Sequence, residues 1–263
     1  GLSYGLFEPE GPLDALYLKA LTVNGKPDAS ITLQGLAERL GSLPLAFQPG
    51  TRWRYGVSLD VLGALVEVIA GESLGDFMTS RIFEPLGMVD TGFTVPPETV
   101  DRLATVYQRD PESRALTPHE SPVPILPMFW GGGGLVSSLG DDGRFAAMLA
   151  NNGRLGDVQL LSPNTVAMFS TNWAPFESLP ALHVDHDGFG YSLGTAVLMD
   201  PSPTGQFGNR GAFTWGGAFS TYFWVDPTES LYGVLMTQFA PNGTYPLPGR
   251  FNQLTYQAMV TSH

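Results

Sequence analysis

Apolar positions along the chain recur first at helical spacing and later at strand spacing. Leu13, Leu16, Tyr17 and Leu21 predict a helix over Pro12 to Thr22, and the same period predicts another from Leu33 to Leu40 behind a Thr32 N-cap. After Ser58, the residues Leu59, Leu62, Leu65, Val66 and Ile69 form one apolar face, with Asp60 in the first turn and Gly71 closing the helix. Ser73 caps a further helix with Asp76 three residues on, and Pro85 is expected to stop it. Asp90 to Met128 is irregular and proline-rich, with a strand-like piece from Leu103 to Tyr107. A glycine run then leads through Ser138 into a helix from about Asp141 to Asn151, and Ser162-Pro163 opens another to about Thr171. Beyond Asp187 the period shortens. Gly190 to Met199, Phe219 to Asp226 and Leu231 to Phe239 read as a strand meander, followed by an amphipathic helix from about Gly249 to Val260.

Helices, then strands, then a helix, without βαβ alternation, predict an α+β fold with an antiparallel sheet. The expected division is a mostly helical region over residues 1–186 and the C-terminal strands and helix over residues 187–263. No internal repeat at solenoid period and no low-complexity tract is seen.

Composition narrows the function. With 43% hydrophobic residues in 263, the chain has ample capacity for a core. Its 13 basic against 25 acidic side chains give a formal charge of −12, and its only lysines are Lys19 and Lys26. Such a balance repels phosphate backbones and anionic lipid, so neither nucleic acid nor a membrane surface is an expected partner. No apolar run approaches a membrane span and no targeting segment is visible. The absence of cysteine excludes disulfides, thiolate nucleophiles and cysteine-based zinc sites. The 32 glycines and 22 prolines point to many turns and close backbone approaches.

Three Gly-x-Ser-x-Gly matches, at Gly1 to Gly5, Gly71 to Gly75 and Gly190 to Gly194, raise the nucleophile elbow of an α/β-hydrolase. That elbow needs a strand before the serine and a helix after it. Ser3 has neither, Ser73 reads as a helix cap, and Ser192 lies inside a strand pattern. The His183-x-x-His186 pair beside Asp185 and Asp187 fits no zinc-ligand spacing and reads as a solvated loop. No metal or cofactor is expected.

Two segments are specific together. One is Gln48-Pro49-Gly50-Thr51-Arg52-Trp53-Arg54-Tyr55-Gly56-Val57-Ser58-Leu59-Asp60-Val61-Leu62-Gly63; the other is Trp215-Gly216-Gly217-Ala218 ahead of Phe219 to Asp226. Both resemble the serine β-lactamase-like superfamily, the fold of class C β-lactamases and penicillin-binding proteins, and within it the family VIII carboxylesterases. Arg81 to Met88, Gly132 to Ser138 and Tyr222 to Pro227 extend the resemblance along the whole chain.

That resemblance implies an antiparallel sheet flanked by helices beside a mostly helical domain. It also implies an acyl-enzyme mechanism acting on short-chain carboxylic esters, small molecules that need no cofactor. Tyr55 would be the general base that activates a serine hydroxyl and returns the proton to the leaving alcohol. The Ala218 N–H would supply one oxyanion-hole donor, Gly216 and Gly217 would let the strand edge approach the acyl group, and Trp215 would wall the acyl pocket. Where lactamases carry Tyr-x-Asn, this chain has Tyr55-Gly56-Val57, and Trp215-Gly216-Gly217 replaces Lys-Thr-Gly. Val57 and Trp215 therefore stand where an amide and a cation would grip a lactam or peptide carboxylate, which favours uncharged esters and implies weak β-lactamase activity. An acyltransferase of the same superfamily and a non-catalytic binding homologue are the competing readings.

The superfamily's nucleophile lies in Ser-x-x-Lys at a helix start, serine and lysine one turn apart on one face. Leu16 stands three residues before Lys19 and Val23 three before Lys26, so this chain has no such motif. Gly1-Leu2-Ser3-Tyr4-Gly5 resembles the end of the segment that follows Ser-x-x-Lys, and the chain begins without methionine. The expectation is a natural start upstream, with the nucleophile on an N-terminal segment that is a separate bound chain or lost. The last strands would otherwise leave an unpaired apolar edge. A cytoplasmic location is the default expectation.

Overall fold

Short polar caps set several helix starts in this computed structural model, which describes residues 1–5, 11–23, 26–28, 30–110, 112–119, 130–174 and 188–260. The Thr32 hydroxyl accepts the Gly35 N–H at 3.1 Å, and the Ser73 hydroxyl accepts that of Asp76 at 3.1 Å. Ser138 does the same for Asp141 at 3.3 Å, and Ser162 for Thr165 at 3.1 Å. Each satisfies a backbone donor that the first helical turn leaves open. The chain forms two compact units, the first Gly1–Ile82, Gly92–Thr94 and Val123–Val136, the second Phe83–Thr91, Val95–Pro122 and Ser137–His263. These bounds group Phe83–Thr91, Val95–Pro122 and the chain from Ser137 with the C-terminal strands, whereas the sequence pattern gives a single boundary at 186.

The first unit is built on α1 (Pro12–Leu21), a small β1 (Thr22–Val23) and β2 (Lys26–Pro27) ladder, α2 (Leu33–Gly41), α3 (Ser58–Ala70) and α4 (Leu74–Met78). Tyr17, Leu21, Leu33, Leu36, Leu40, Val57, Ala64 and Leu74 make its buried core. Here α3 departs from expectation. Its apolar face does not supply the core: Leu62 is 52% exposed, Leu65 50% and Ile69 77%, while Asp60, Gly63 and Ala64 face inward. Gly63 and Ala64 allow close approach, since a Cβ on Gly63 would lie 3.0 Å from Leu74 and 3.2 Å from Leu33 side-chain atoms.

Pro85 does not stop the helix that Ser73 opens. A π-helical turn over Thr79–Phe83 follows α4, then α5 (Glu84–Leu86) carries Pro85 in its first positions, and left-handed Gly87 ends it. The wider turn takes up the register shift that a missing proline N–H imposes. Leu103 to Val106 forms no strand; a 3-10 helix occupies Pro97–Arg102, and β3 is Tyr107–Arg109, paired with β4 (Leu116–Pro118).

In the second unit, α6 (Leu139–Ala150) precedes a short hairpin of β5 (Arg154–Leu155) and β6 (Val158–Gln159), and α7 (Pro163–Ala167) runs into a 3-10 turn over Met168–Ser170. The expected strand Gly190 to Met199 is a hairpin instead, β7 (Phe189–Tyr191) and β8 (Ala196–Leu198). Gly194, at φ 83°, reverses the chain where a continuous strand would need extended backbone. A helical turn, α8 (Pro201–Thr204), leads to β9 (Phe213–Gly216), β10 (Tyr222–Asp226) and β11 (Leu231–Leu235). These five form an antiparallel sheet in the order β11-β10-β9-β8-β7, with β11 at one edge. The expected strand Leu231 to Phe239 breaks after Leu235; β12 (Phe239–Ala240) joins a separate sheet beside β3, in parallel. The closing helix, α9 (Leu247–Ala258), sets Phe251 edge-on against Trp224 at 5.1 Å and hydrogen-bonds Tyr256 to Asp226 at 2.6 Å.

Candidate active site

Tyr55 sits in the irregular stretch that enters α3, half-buried, with the Tyr4 ring 5.3 Å and the Trp53 ring 6.2 Å from its own. This stretch is anchored in the first unit. Arg54 makes a buried ion pair with Asp14 at 2.8 Å, and the same carboxylate oxygen accepts the Ser3 hydroxyl at 2.8 Å. Gly56 packs on the backbone of Leu2 and Ser3. Burial, and after it the charge of Asp60, push the Tyr55 phenol above its ordinary pKa. A phenol in this setting needs a nearby cation before it can act as a base. Val57 is wholly buried at the head of α3, its side chain part of the helical core.

Trp215, Gly216, Gly217 and Ala218 lie together in the second unit, at the end of β9 and in the turn to β10. The turn is longer than the sequence pattern suggests, because β10 begins at Tyr222 and Phe219 belongs to the turn. The Gly217 N–H donates to the Thr221 carbonyl at 2.9 Å, the Ser220 N–H to the Gly217 carbonyl at 3.1 Å, and the Asn242 amide to the Gly217 carbonyl at 2.9 Å. A Cβ on Gly217 would lie 2.2 Å from the Thr221 hydroxyl oxygen, so a side chain there would force Thr221 to move. Ala218 is exposed, and its N–H has no acceptor among the described residues. That is the condition an oxyanion donor must meet before substrate arrives. Trp215 is half-buried and meets the Tyr191 ring edge-on at 5.8 Å.

The serines of the three Gly-x-Ser-x-Gly matches have structural duties. Ser3 is held by Asp14, Ser73 caps α4, and Ser192, in the β7–β8 turn rather than a strand, donates to the Met168 carbonyl at 2.8 Å. No group of three or more metal-ligand side chains gathers among the described residues; His183, Asp185, His186 and Asp187 lie outside them. No helix among the described residues is long and apolar enough to cross a membrane.

A family model described as Beta-lactamase matches residues 4–256. The chain belongs to the Beta-lactamase family. Within that family it is 32% identical over 250 residues to protein Rv1367c of Mycobacterium tuberculosis, covering 92% of this chain and 60% of the relative. It is 30% identical over 260 residues to esterase EstB of Burkholderia gladioli, covering 92% and 63%. Among solved structures, EstCE1, "a hydrolase with promiscuous acyltransferase activity", superposes with a TM-score of 0.74 at 27% identity, covering 91% of this chain and 64% of that one. The fold is therefore β-lactamase-like and α+β, in a superfamily that includes esterases and acyltransferases. The chain spans about three-fifths of the length of these relatives.

One buried group near Tyr55 does not stand out in the sequence. Asp60 reads as an ordinary first-turn acid of α3, yet its carboxylate is fully buried and accepts hydrogen bonds from the glycine run and from Tyr4. The aspartate stands in the tyrosine motif, but its partners are contacts distant in sequence that no local pattern shows.

Proposed function

We propose that the chain is the larger part of a serine carboxylesterase that cleaves short-chain esters through an acyl-enzyme. The serine and lysine of Ser-x-x-Lys are supplied by an N-terminal segment. The observation that carries this reading is Tyr55, held at the entry to α3 in a segment that resembles the superfamily's tyrosine motif, within a Beta-lactamase family chain. Burial and the charge of Asp60 raise its phenol pKa; the lysine of Ser-x-x-Lys beside it would favour the phenolate, which then takes the serine proton as the serine oxygen bonds to the ester carbonyl carbon. Collapse of the tetrahedral intermediate expels the alcohol, which takes that proton from Tyr55, and water then releases the acid from the acyl-serine.

Two open surfaces support a further segment. The α3 face of Leu59, Leu62, Leu65 and Ile69 is exposed in the first unit, and β11 pairs on one side only among the described residues of the second. The free Ala218 N–H suits an oxyanion donor, and the missing lysine at Trp215 favours an uncharged ester over a lactam. EstCE1 joins hydrolase and acyltransferase activity in its description, so acyl transfer to an alcohol is the second reading for the same acyl-enzyme.

The test is hydrolysis of p-nitrophenyl butyrate by the enzyme carrying its N-terminal segment. Tyr55→Phe is expected to lower kcat by about 100-fold or more at unchanged folding. Full activity in that variant removes Tyr55 from the mechanism.

A further inference from the structure

Three stretches far apart in sequence, residues 1–5, 53–60 and 130–134, converge on one side chain in the first unit. Asp60, in the opening turn of α3, has no exposed surface. Its Oδ1 accepts the Gly132 N–H at 3.0 Å, and its Oδ2 accepts the Tyr4 hydroxyl at 3.4 Å. The glycine run lies directly on the helix start. A Cβ on Gly131 would fall 2.0 Å from the Leu59 carbonyl oxygen; one on Gly132 would fall 2.6 Å from the Tyr4 hydroxyl and 3.2 Å from Asp60 Oδ2. Tyr4, fixed by this carboxylate, presents its ring 5.3 Å from that of Tyr55 at an angle of 46°.

A first-turn acid gains its helix-dipole interaction while remaining in water, so the dipole gives no reason to bury it. Asp60 is nevertheless buried, and no ion pair joins it among the described residues. A carboxylate enclosed without a cation costs stability, and such groups cluster beside chemistry.

We propose that Asp60 is a positioning residue for the esterase reaction: it holds Tyr4 and the Gly131–Gly132 backbone against the start of α3 and so fixes the Tyr55 ring in its reactive placement. The inference rests on Tyr55 being the base. It has an electrostatic consequence as well. The titratable groups facing Asp60 are Tyr4 from the first stretch and Tyr55 from the second, while the glycine run offers amides only. When ionised, Asp60 opposes formation of the Tyr55 phenolate, and so raises the pH at which the base becomes available.

The experiment uses the enzyme with its Ser-x-x-Lys segment and p-nitrophenyl butyrate, reading kcat, KM and thermal melting across pH. Asp60→Ala removes both acceptors and is expected to lower kcat by about tenfold or more, with KM changed less than about twofold. Asp60→Asn keeps one acceptor and removes the charge. It is expected to recover part of kcat, to move the acid limb of kcat/KM down by about one pH unit, and to melt no lower than the parent. If Asp60→Ala fails to fold, the Asn variant alone decides. An Asn variant with parental kcat and an unmoved limb, in an enzyme that Tyr55→Phe silences, overturns this proposal alone. So does a loss of kcat that only tracks melting. Full activity in Tyr55→Phe overturns the esterase reading and this inference with it.

Discussion

Ser3, Asp14 and Arg54 show how one buried charge pair anchors a candidate catalytic side chain. The Asp14 carboxylate is 2% exposed and the Arg54 guanidinium 8%, so their attraction acts with little solvent screening. Removing one partner strands the other in a place chosen for a pair. Asp14→Ala is therefore expected to destabilise the chain by about 3–5 kcal/mol in urea unfolding. A cost below about 1 kcal/mol would mean that water already reaches the pair. Neither Asp14 nor Ser3 declares this duty in the sequence, where Ser3 sits in a nucleophile-like motif and Asp14 on an ordinary helix. Asp60 is the same lesson at the site: its type and spacing were readable, while its burial depends on Gly132 and Tyr4, residues 72 and 56 positions away. Tyr55, Trp215, Gly216, Gly217 and Ala218 are candidates from the sequence because they stand in contiguous motifs. Val57 belongs to such a motif too, yet its side chain lies in the core.

Helices were readable wherever a local cap starts them, as at Thr32, Ser73, Ser138 and Ser162. Interactions three residues apart need no tertiary partner to act. Strands were less so, because Gly194 and the Ala218–Ser220 turn break apolar runs that read as continuous. The α3 helix separates the two questions: periodicity shows that it is a helix, and only its neighbours decide which face is covered. In the 263-residue chain by itself, Leu62→Gln and Leu65→Gln are each expected to change the unfolding free energy by less than about 0.5 kcal/mol. Ala64→Leu, on the covered face, is expected to cost about 1–3 kcal/mol. With the N-terminal segment bound, Leu62→Gln becomes destabilising if that segment covers α3. A large effect of Leu62→Gln in the chain alone would show that this face is already occupied.

Taken whole, the chain has the family's fold, carries two segments that resemble motifs of the serine β-lactamase-like superfamily, and lacks a Ser-x-x-Lys sequence around either lysine. Net charge and cysteine count narrow the expected partners and chemistries without choosing a function. The small number of lysines bears more directly on the proposal, since the proposed phenolate requires a cation that neither Lys19 nor Lys26 provides in Ser-x-x-Lys spacing. Under the proposed mechanism an ester-like inhibitor finds its serine outside residues 1–263. The decisive measurement is peptide mass mapping of the active enzyme after reaction with a short-chain fluorophosphonate, in which the nucleophilic oxygen displaces fluoride at phosphorus. The label is expected on the serine of Ser-x-x-Lys in the N-terminal segment, and to be lost when that serine is replaced by alanine. Stoichiometric label on Ser3, Ser73, Ser192 or any other serine of this chain would contradict the proposed mechanism.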